Sequence, residues 1–255
     1  MRSRLAPAVV IVAGLAAWEL AAQWHVLADL LSIEDFLVPA PAEIAEALGE
    51  ERSLLAEDAW VTLREILLGF AIAVIAGLAL AIAIHLSETA RRAIYPILVA
   101  SQTVPIVVIA PILVVWFGFG IVPKLLIVAL ICFFPITVNA YDGLRSVDPE
   151  LLKMMRTLGA GRLQTLRRAE LPWALPFVFS GAKIAVAVAV IGAVFAEWAG
   201  SNSGLGHLIL VSSSELSTAL TFAAVVVLSA IAISLFVLLS LVERRVVNWR
   251  EETAR

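Results

Sequence analysis

The sequence predicts an all-α polytopic membrane protein, and three observations carry that prediction. Of 255 residues, 62% are hydrophobic and only 15% are charged, against about 45–50% and about 25% in soluble domains. Mean hydropathy is +0.99. The apolar residues also fall into six runs, at roughly 5–24, 63–86, 94–117, 123–141, 173–198 and 218–242, each near the ~20 residues a helix needs to cross a bilayer. No Pro/Gly/Ser-rich linker divides the chain, so residues 1–255 are expected to form one six-span domain. Cys132 stands alone in an apolar run, which excludes an internal disulfide framework.

The first run follows Arg2 and Arg4 and is longer than the ~7–15 apolar residues of a signal peptide, so it is read as a retained span. Glu19 lies near its far end, a costly place for a carboxylate unless it has a partner, a wet cavity or a route to the interface. Residues 26–60 are acidic; Phe36-Leu37-Val38-Pro39-Ala40-Pro41 is extended by its prolines, and a short helix is expected over 43–48. Gly69, Gly77, Gly181 and Gly192 offer small faces for close helix packing, which matters where lipid supplies no hydrophobic drive between helices. Pro105 and Pro111 in the third run, and Pro135 in the fourth, predict kinks.

Cation placement sets the expected orientation. With the N-terminus inside, the inner segments hold Arg2, Arg4, Arg91, Arg92, Arg145, Lys153, Arg156, Arg162, Arg167, Arg168, Arg244, Arg245, Arg250 and Arg255. The outer segments hold Arg52, with Arg64 and Lys124 at span edges. Both termini and the polar interval 145–172 are therefore expected in the cytoplasm.

The residue types exclude most chemistry. Histidines stand only at 25, 85 and 207, too scattered for a helical metal pair. No phosphate-binding Gly-x-x-x-x-Gly-Lys-Ser/Thr loop is present, so this chain does not bind ATP by that device. Ser203 lies in a glycine-rich stretch, Gly200 to Gly206, and His207 follows it in what reads as a flexible loop, a poor base for a serine nucleophile. The chain is read as a non-enzyme without cofactor, and no nucleic-acid partner is expected. The informative groups are polar residues inside apolar runs. Gln102 and Thr103 lie about 10 residues into the third, or about 15 Å deep; Asn139 lies late in the fourth, and Lys183 and Glu197 lie in the fifth. Lys183 and Glu197 share a helix face to within about 40° but stand about 21 Å apart. These five are candidates for a transport path, the alternative for Gln102 and Asn139 being hydrogen bonds that join helices. An ion-coupled secondary transporter would need paired titratable groups at the midplane, where only Lys183 qualifies; an intramembrane enzyme would need a nucleophile and base at one depth, and none is visible.

The interval Asp148–Pro172 organises the rest. Asp148-Pro149 reads as an N-cap and first helical residue. Gly159 and Gly161 break the run, and Leu163, Leu166 and Leu171 with Arg162, Arg167 and Arg168 predict a second short amphipathic helix. This pattern resembles the EAA loop of permease subunits in type I binding-protein-dependent ABC importers, where a Glu-Ala-Ala triplet precedes Gly and then Ile-x-Leu-Pro. Gly159 takes the glycine position and Leu171-Pro172 the final pair, while Lys153-Met154-Met155 stands for the triplet and Ala169 for the Ile. Trp18-Glu19-Leu20, the Leu37-Val38-Pro39-Ala40-Pro41 stretch and Ser203-Gly204-Leu205-Gly206 also look like segments of that family, the last being its outer loop near the translocation mouth. Asp148-Pro149-Glu150-Leu151-Leu152 and Leu158-Gly159-Ala160 place the resemblance in the branch handling sulfonates, taurine, nitrate, thiamine precursors and riboflavin-like molecules.

The resemblance implies a bacterial inner-membrane permease working with a second copy, a homodimer, on a cytoplasmic ATPase dimer that holds ATP and Mg, fed by an extracytoplasmic solute-binding protein. It implies an ATPase-coupling surface of Glu150, Leu151, Leu152, Met154, Met155, Leu158, Gly159 and Ala160. With the acidic triplet residue replaced by Lys153, that contact is expected to rest on the apolar members.

Overall fold

The computed structural model describes residues 2–24, 34 and 37–248, with the backbone alone at 2–8 and 11. His25, Phe36, Arg250 and Arg255, used above, lie outside the described residues. Every regular element among the described residues is helical: α1 Arg2–Gln23, α2 Pro41–Glu50, α3 Arg52–Leu86, α4 Glu88–Ser101, α5 Ile106–Phe117, α6 Ile121–Arg145, α7 Pro149–Thr157, α8 Arg162–Thr165, α9 Leu171–Gly200, α10 Leu205–Ser214 and α11 Thr218–Val246. Four helices, α3, α6, the continuous α8–α9 rod and α11, are long and apolar enough to cross a membrane; five qualify if the bent pair α4–α5 counts as one. The first apolar run forms α1, 22 residues long.

Two expectations need correction. The third run, 94–117, is not one kinked span: α4 and α5 meet at 100° across residues 102–105. Pro105 is the N-cap of α5 and cannot donate a backbone hydrogen bond. Thr103 and Val104 instead close tight turns onto Ala100 and Ser101, so a new helix starts there. The second half of the Asp148–Pro172 interval is not a free-standing helix either. The single turn of α8 passes through a π-helical segment, Leu166–Glu170, directly into α9, making one rod from Arg162 to Gly200. Pro172 and Pro176 lie within that rod, Pro172 in the first turn of α9, where the missing N–H costs least.

The residues pack as two units. The first holds residues 1–62 and 202–230. In it Glu19 finds its partner: its carboxylate accepts the backbone N–H of Ala42 at 3.0 Å and the Gln23 amide at 2.7 Å. Ala42 lies in the first turn of α2, where unpaired N–H groups favour an anion, and Glu43 accepts the Ala40 N–H at 2.9 Å in the same turn. Trp18 and Phe222 face each other with ring centroids 6.1 Å apart. Asp58 and Thr62, one turn apart on α3 and both buried, accept the N–H groups of Gly204 and Leu205 at 2.7 and 2.8 Å. Those two bonds cap the start of α10. The stretch from Ser203 to His207 is therefore a fixed helix start and not the flexible loop expected; Gly204, at φ 110, takes a conformation that favours glycine.

The second unit holds residues 63–201 and 231–255, with α6 at its centre. Glycines admit its neighbours: a Cβ at Gly69 of α3 would lie 2.6 Å from Val128, and one at Gly181 of α9 would lie 2.6 Å from the Pro135 carbonyl oxygen. Backbones this close gain dispersion contacts on both sides, the main drive available between helices in lipid. Ile127, Val128, Cys132, Ile136 and Ala140 of α6 are buried as a result.

Candidate functional site

The hairpin between α6 and α9 is built by local rules. Asp148 accepts the Glu150 N–H at 2.8 Å, and Pro149 opens α7. The helix ends where Ala160 N–H reaches back to the Met155 carbonyl at 2.9 Å and Gly159 turns to φ 79, the left-handed closing geometry for which glycine is best suited. Gly161 N–H then meets the Gln164 side chain at 3.2 Å to start α8.

No residue of α7 is buried. Met154 is 54% exposed and Leu158, just beyond it, 78%; Leu151, Leu152, Met155 and Ala160 are half-buried, and Glu150 and Gly159 exposed. Leu151, Met155 and Leu158 are spaced to share one face of the helix. The chain thus presents a short amphipathic helix, stiffened at both ends, with its apolar side uncovered.

The second arm is anchored differently. Glu170, 1% exposed, receives Arg162 Nη1 at 2.7 Å and His85 Nε2 at 2.9 Å. Near the same end of α3, the exposed Glu88 begins α4 ahead of its apolar run. Hydrogen bonds from Arg91 and then Arg92 hold its carboxyl at about 2.

The polar groups of the spans separate rather than converge. Gln102 and Thr103 stand exposed at the α4–α5 break, and Gln102 lines a cavity of about 340 Å3 with Ser101, Pro105, Ile109 and Leu130. Asn139 donates to the carbonyl of Pro135 on its own helix at 2.8 Å and lies against Gly181, where α6 and α9 meet. Lys183 pairs with Glu243 of α11 at 2.7 Å. Glu197 is 1% exposed and interacts with Glu65.

Sequence reasoning missed Glu65, Lys124, Glu170, His85 and Glu243 as paired groups. Lys124, assigned to a span edge, is buried; its ammonium reaches Glu65 at 2.8 Å and Ser201 at 2.6 Å. A signal existed for Glu65: Asp58, Thr62 and Glu65 follow one another at 4 and 3 residues along α3, one polar stripe on an apolar helix.

Residues 69–248 match the family described as binding-protein-dependent transport system inner membrane component. A probable ABC transporter permease of Haemophilus influenzae is 38% identical over 84% of this chain and 87% of its own. The formylaminopyrimidine transport permease ThiX of Halalkalibacterium halodurans is 36% identical over 90% and 92%. The riboflavin transport system permease RibX of Chloroflexus aurantiacus is 37% identical over 89% and 85%. In three dimensions the chain is similar to a chain of the inward-facing MetNI methionine ABC transporter, with TM-score 0.65 at 19% identity, over 78% of this chain and 96% of that one. An uncovered amphipathic hairpin on an all-helical membrane fold, without a phosphate loop of its own, accords with this match: the chain belongs to the family of binding-protein-dependent inner-membrane transport components, as a multi-pass permease subunit of an ABC importer for a small solute, with ATP hydrolysed on a separate subunit.

Proposed function

We propose that this permease carries a nitrogen heterocycle, a formylaminopyrimidine-like thiamine precursor or a flavin-like molecule, and works as a homodimer on a cytoplasmic ATPase dimer that holds ATP and Mg. The names of the two relatives at 36 and 37% identity support that solute class. The observation that supports the docking arrangement is the uncovered apolar side of α7. A helix bearing Leu151, Leu152, Met154, Met155 and Leu158 beside a membrane needs an apolar partner, and adaptable methionines suit an imperfectly shaped pocket. Glu150, Gly159 and Ala160 set the ends of that surface.

In this reading, closure of the ATPase dimer on ATP pushes the hairpins, the spans tilt outward to receive solute from the binding protein, and hydrolysis resets them. Gln102, at the broken span, is the pathway position with open space before it, and Thr103 is exposed beside it; Asn139, Lys183 and Glu197 contribute through the helix contacts they make. The deciding experiment is binding of formylaminopyrimidine, riboflavin, taurine and an alkanesulfonate to the partner binding protein, followed by uptake in proteoliposomes. Tight binding and uptake of a heterocycle is expected; binding of taurine or the sulfonate alone contradicts the solute assignment.

A further inference from the structure

We infer that Glu170 is a positioning residue that makes the coupling hairpin and the membrane helices move as one body. The inference rests on the docking role proposed for α7. The carboxylate joins three places in the chain. Arg162 opens the second arm just past the hairpin turn, His85 closes α3, and Glu170 itself ends the π-helical segment that leads into α9.

Both oxygens are used, each by a different side chain: Oε1 by Arg162 and Oε2 by His85. His85 borders the polar side chains of Glu88, Arg91, Tyr141 and Arg145, and an apolar cluster packs close by. Leu144, Leu166 and Ala174, with Ile82 and Leu171, form a packed cluster between the same helices. A leucine or methionine at 170 would fill such a place without the desolvation that a carboxylate and its polar partners incur, so stability alone does not account for the charge. What the charge adds is register. A carboxylate with two fixed donors has one satisfied geometry, whereas apolar side chains slide past one another at little cost.

The π segment fits the same role. Its wider turn, closed by Leu171 N–H on the Leu166 carbonyl, is a local departure from α geometry of the kind that recurs at functional sites. It joins the second arm of the hairpin to α9, as residues 146–148 join the first arm to α6. A push on α7 passes through the Gly159 turn to Arg162, and from Arg162 through Glu170 to His85 at the end of α3. Without the carboxylate, the hairpin can follow the ATPase while α3 and α9 stay behind.

The test uses the assembled transporter: tagged permease with its ATPase in liposomes and loaded binding protein outside. Glu170→Gln keeps the volume and loses the charge; His85→Phe and Arg162→Met each remove one donor. Each variant is measured for retained ATPase, for stimulation of hydrolysis by loaded binding protein, and for solute taken up per ATP. Retained ATPase with uptake per ATP reduced roughly tenfold is expected, within the usual range of coupling between sites. The Glu170→Gln/Arg162→Met double variant should lose no more than Glu170→Gln alone, because both break one link. Unchanged uptake per ATP in all three single variants overturns the inference, as do additive losses. Loss of the ATPase itself from these variants also overturns it, since Glu170 would then build the docking surface. If Glu170→Gln fails to assemble, His85→Phe and Arg162→Met decide by the same criteria. Failure of the docking role itself is read separately, from Met155→Asp on the first arm.

Discussion

Lys183 of α9 lies 2.7 Å from the carboxylate of Glu243 on α11, with both side chains largely shielded. Lys183 is thus paired inside the protein, and it makes a poor candidate for a free charge that binds protons or solute at the midplane. Lys183→Ala should leave Glu243 uncompensated and destabilise the permease by about 1–3 kcal/mol, less than the ~3–5 kcal/mol of a fully buried pair because part of each group remains exposed. Charge exchange, Lys183→Glu with Glu243→Lys, should restore most of that loss. Thermal unfolding in a fixed detergent reads both; full stability of Lys183→Ala would show the pair to be idle.

The Lys124–Glu65 pair is more deeply buried, at 8% and 2% exposure, and has the sharper consequence. Lys124→Ala leaves a carboxylate in a low-dielectric interior, which costs about 3–5 kcal/mol. Glu65→Gln retains an acceptor for the ammonium and should cost less. A lower unfolding temperature for Lys124→Ala than for Glu65→Gln is the expected order, and the reverse order contradicts it.

What was legible in the sequence, and what was not, follows one division. Features set by a residue's own backbone were readable: the Asp148 cap, Pro149 at the helix start, and the turn at Gly159 are local rules that neighbours do not override. The long apolar runs were readable as helices, and four of the six expected spans stand as continuous membrane-length helices, while Pro105 turned a fifth into a broken pair and not a kinked rod. Pairings across the chain were not readable. Lys124 and Glu65 are 59 residues apart, and His85 and Glu170 are 85 apart; periodicity places each on a helix face but does not say which faces meet. Lys183 and Glu197 do share a helix, as their spacing indicated, yet each is taken up by a different neighbour.

The orientation expected from the cation count has its own test. Cysteines at the exposed positions Ser53 and Ser213 should react with a membrane-impermeant thiol reagent added to sealed cells. One at Thr157, exposed on the hairpin, should react only after the membrane is opened. Thr165 is unsuitable as a reporter because it is buried. Labelling of Thr157→Cys in sealed cells, with the other two protected, would invert the topology.

In the docking arrangement proposed above, α7 and its Gly159 turn hold the ATPase. Nothing lies within 4 Å of a Cβ built at Gly159, but its φ of 79 strains any side chain there, so Gly159→Val should distort the turn without a clash. Lys153→Ala should change little, since an exposed charge contributes only about 0–1 kcal/mol. Met155→Asp is the most direct probe, because it places a charge in a contact that must be dry, and Met154→Asp, at an exposed position, repeats it where the chain's own packing is not touched. The measurement is the amount of ATPase that co-purifies with tagged permease from membranes. Met155→Asp should lose most of it while Lys153→Ala keeps it. Full retention by Met155→Asp and Gly159→Val, with normal stimulation of hydrolysis, would contradict the assignment of this hairpin as the coupling element.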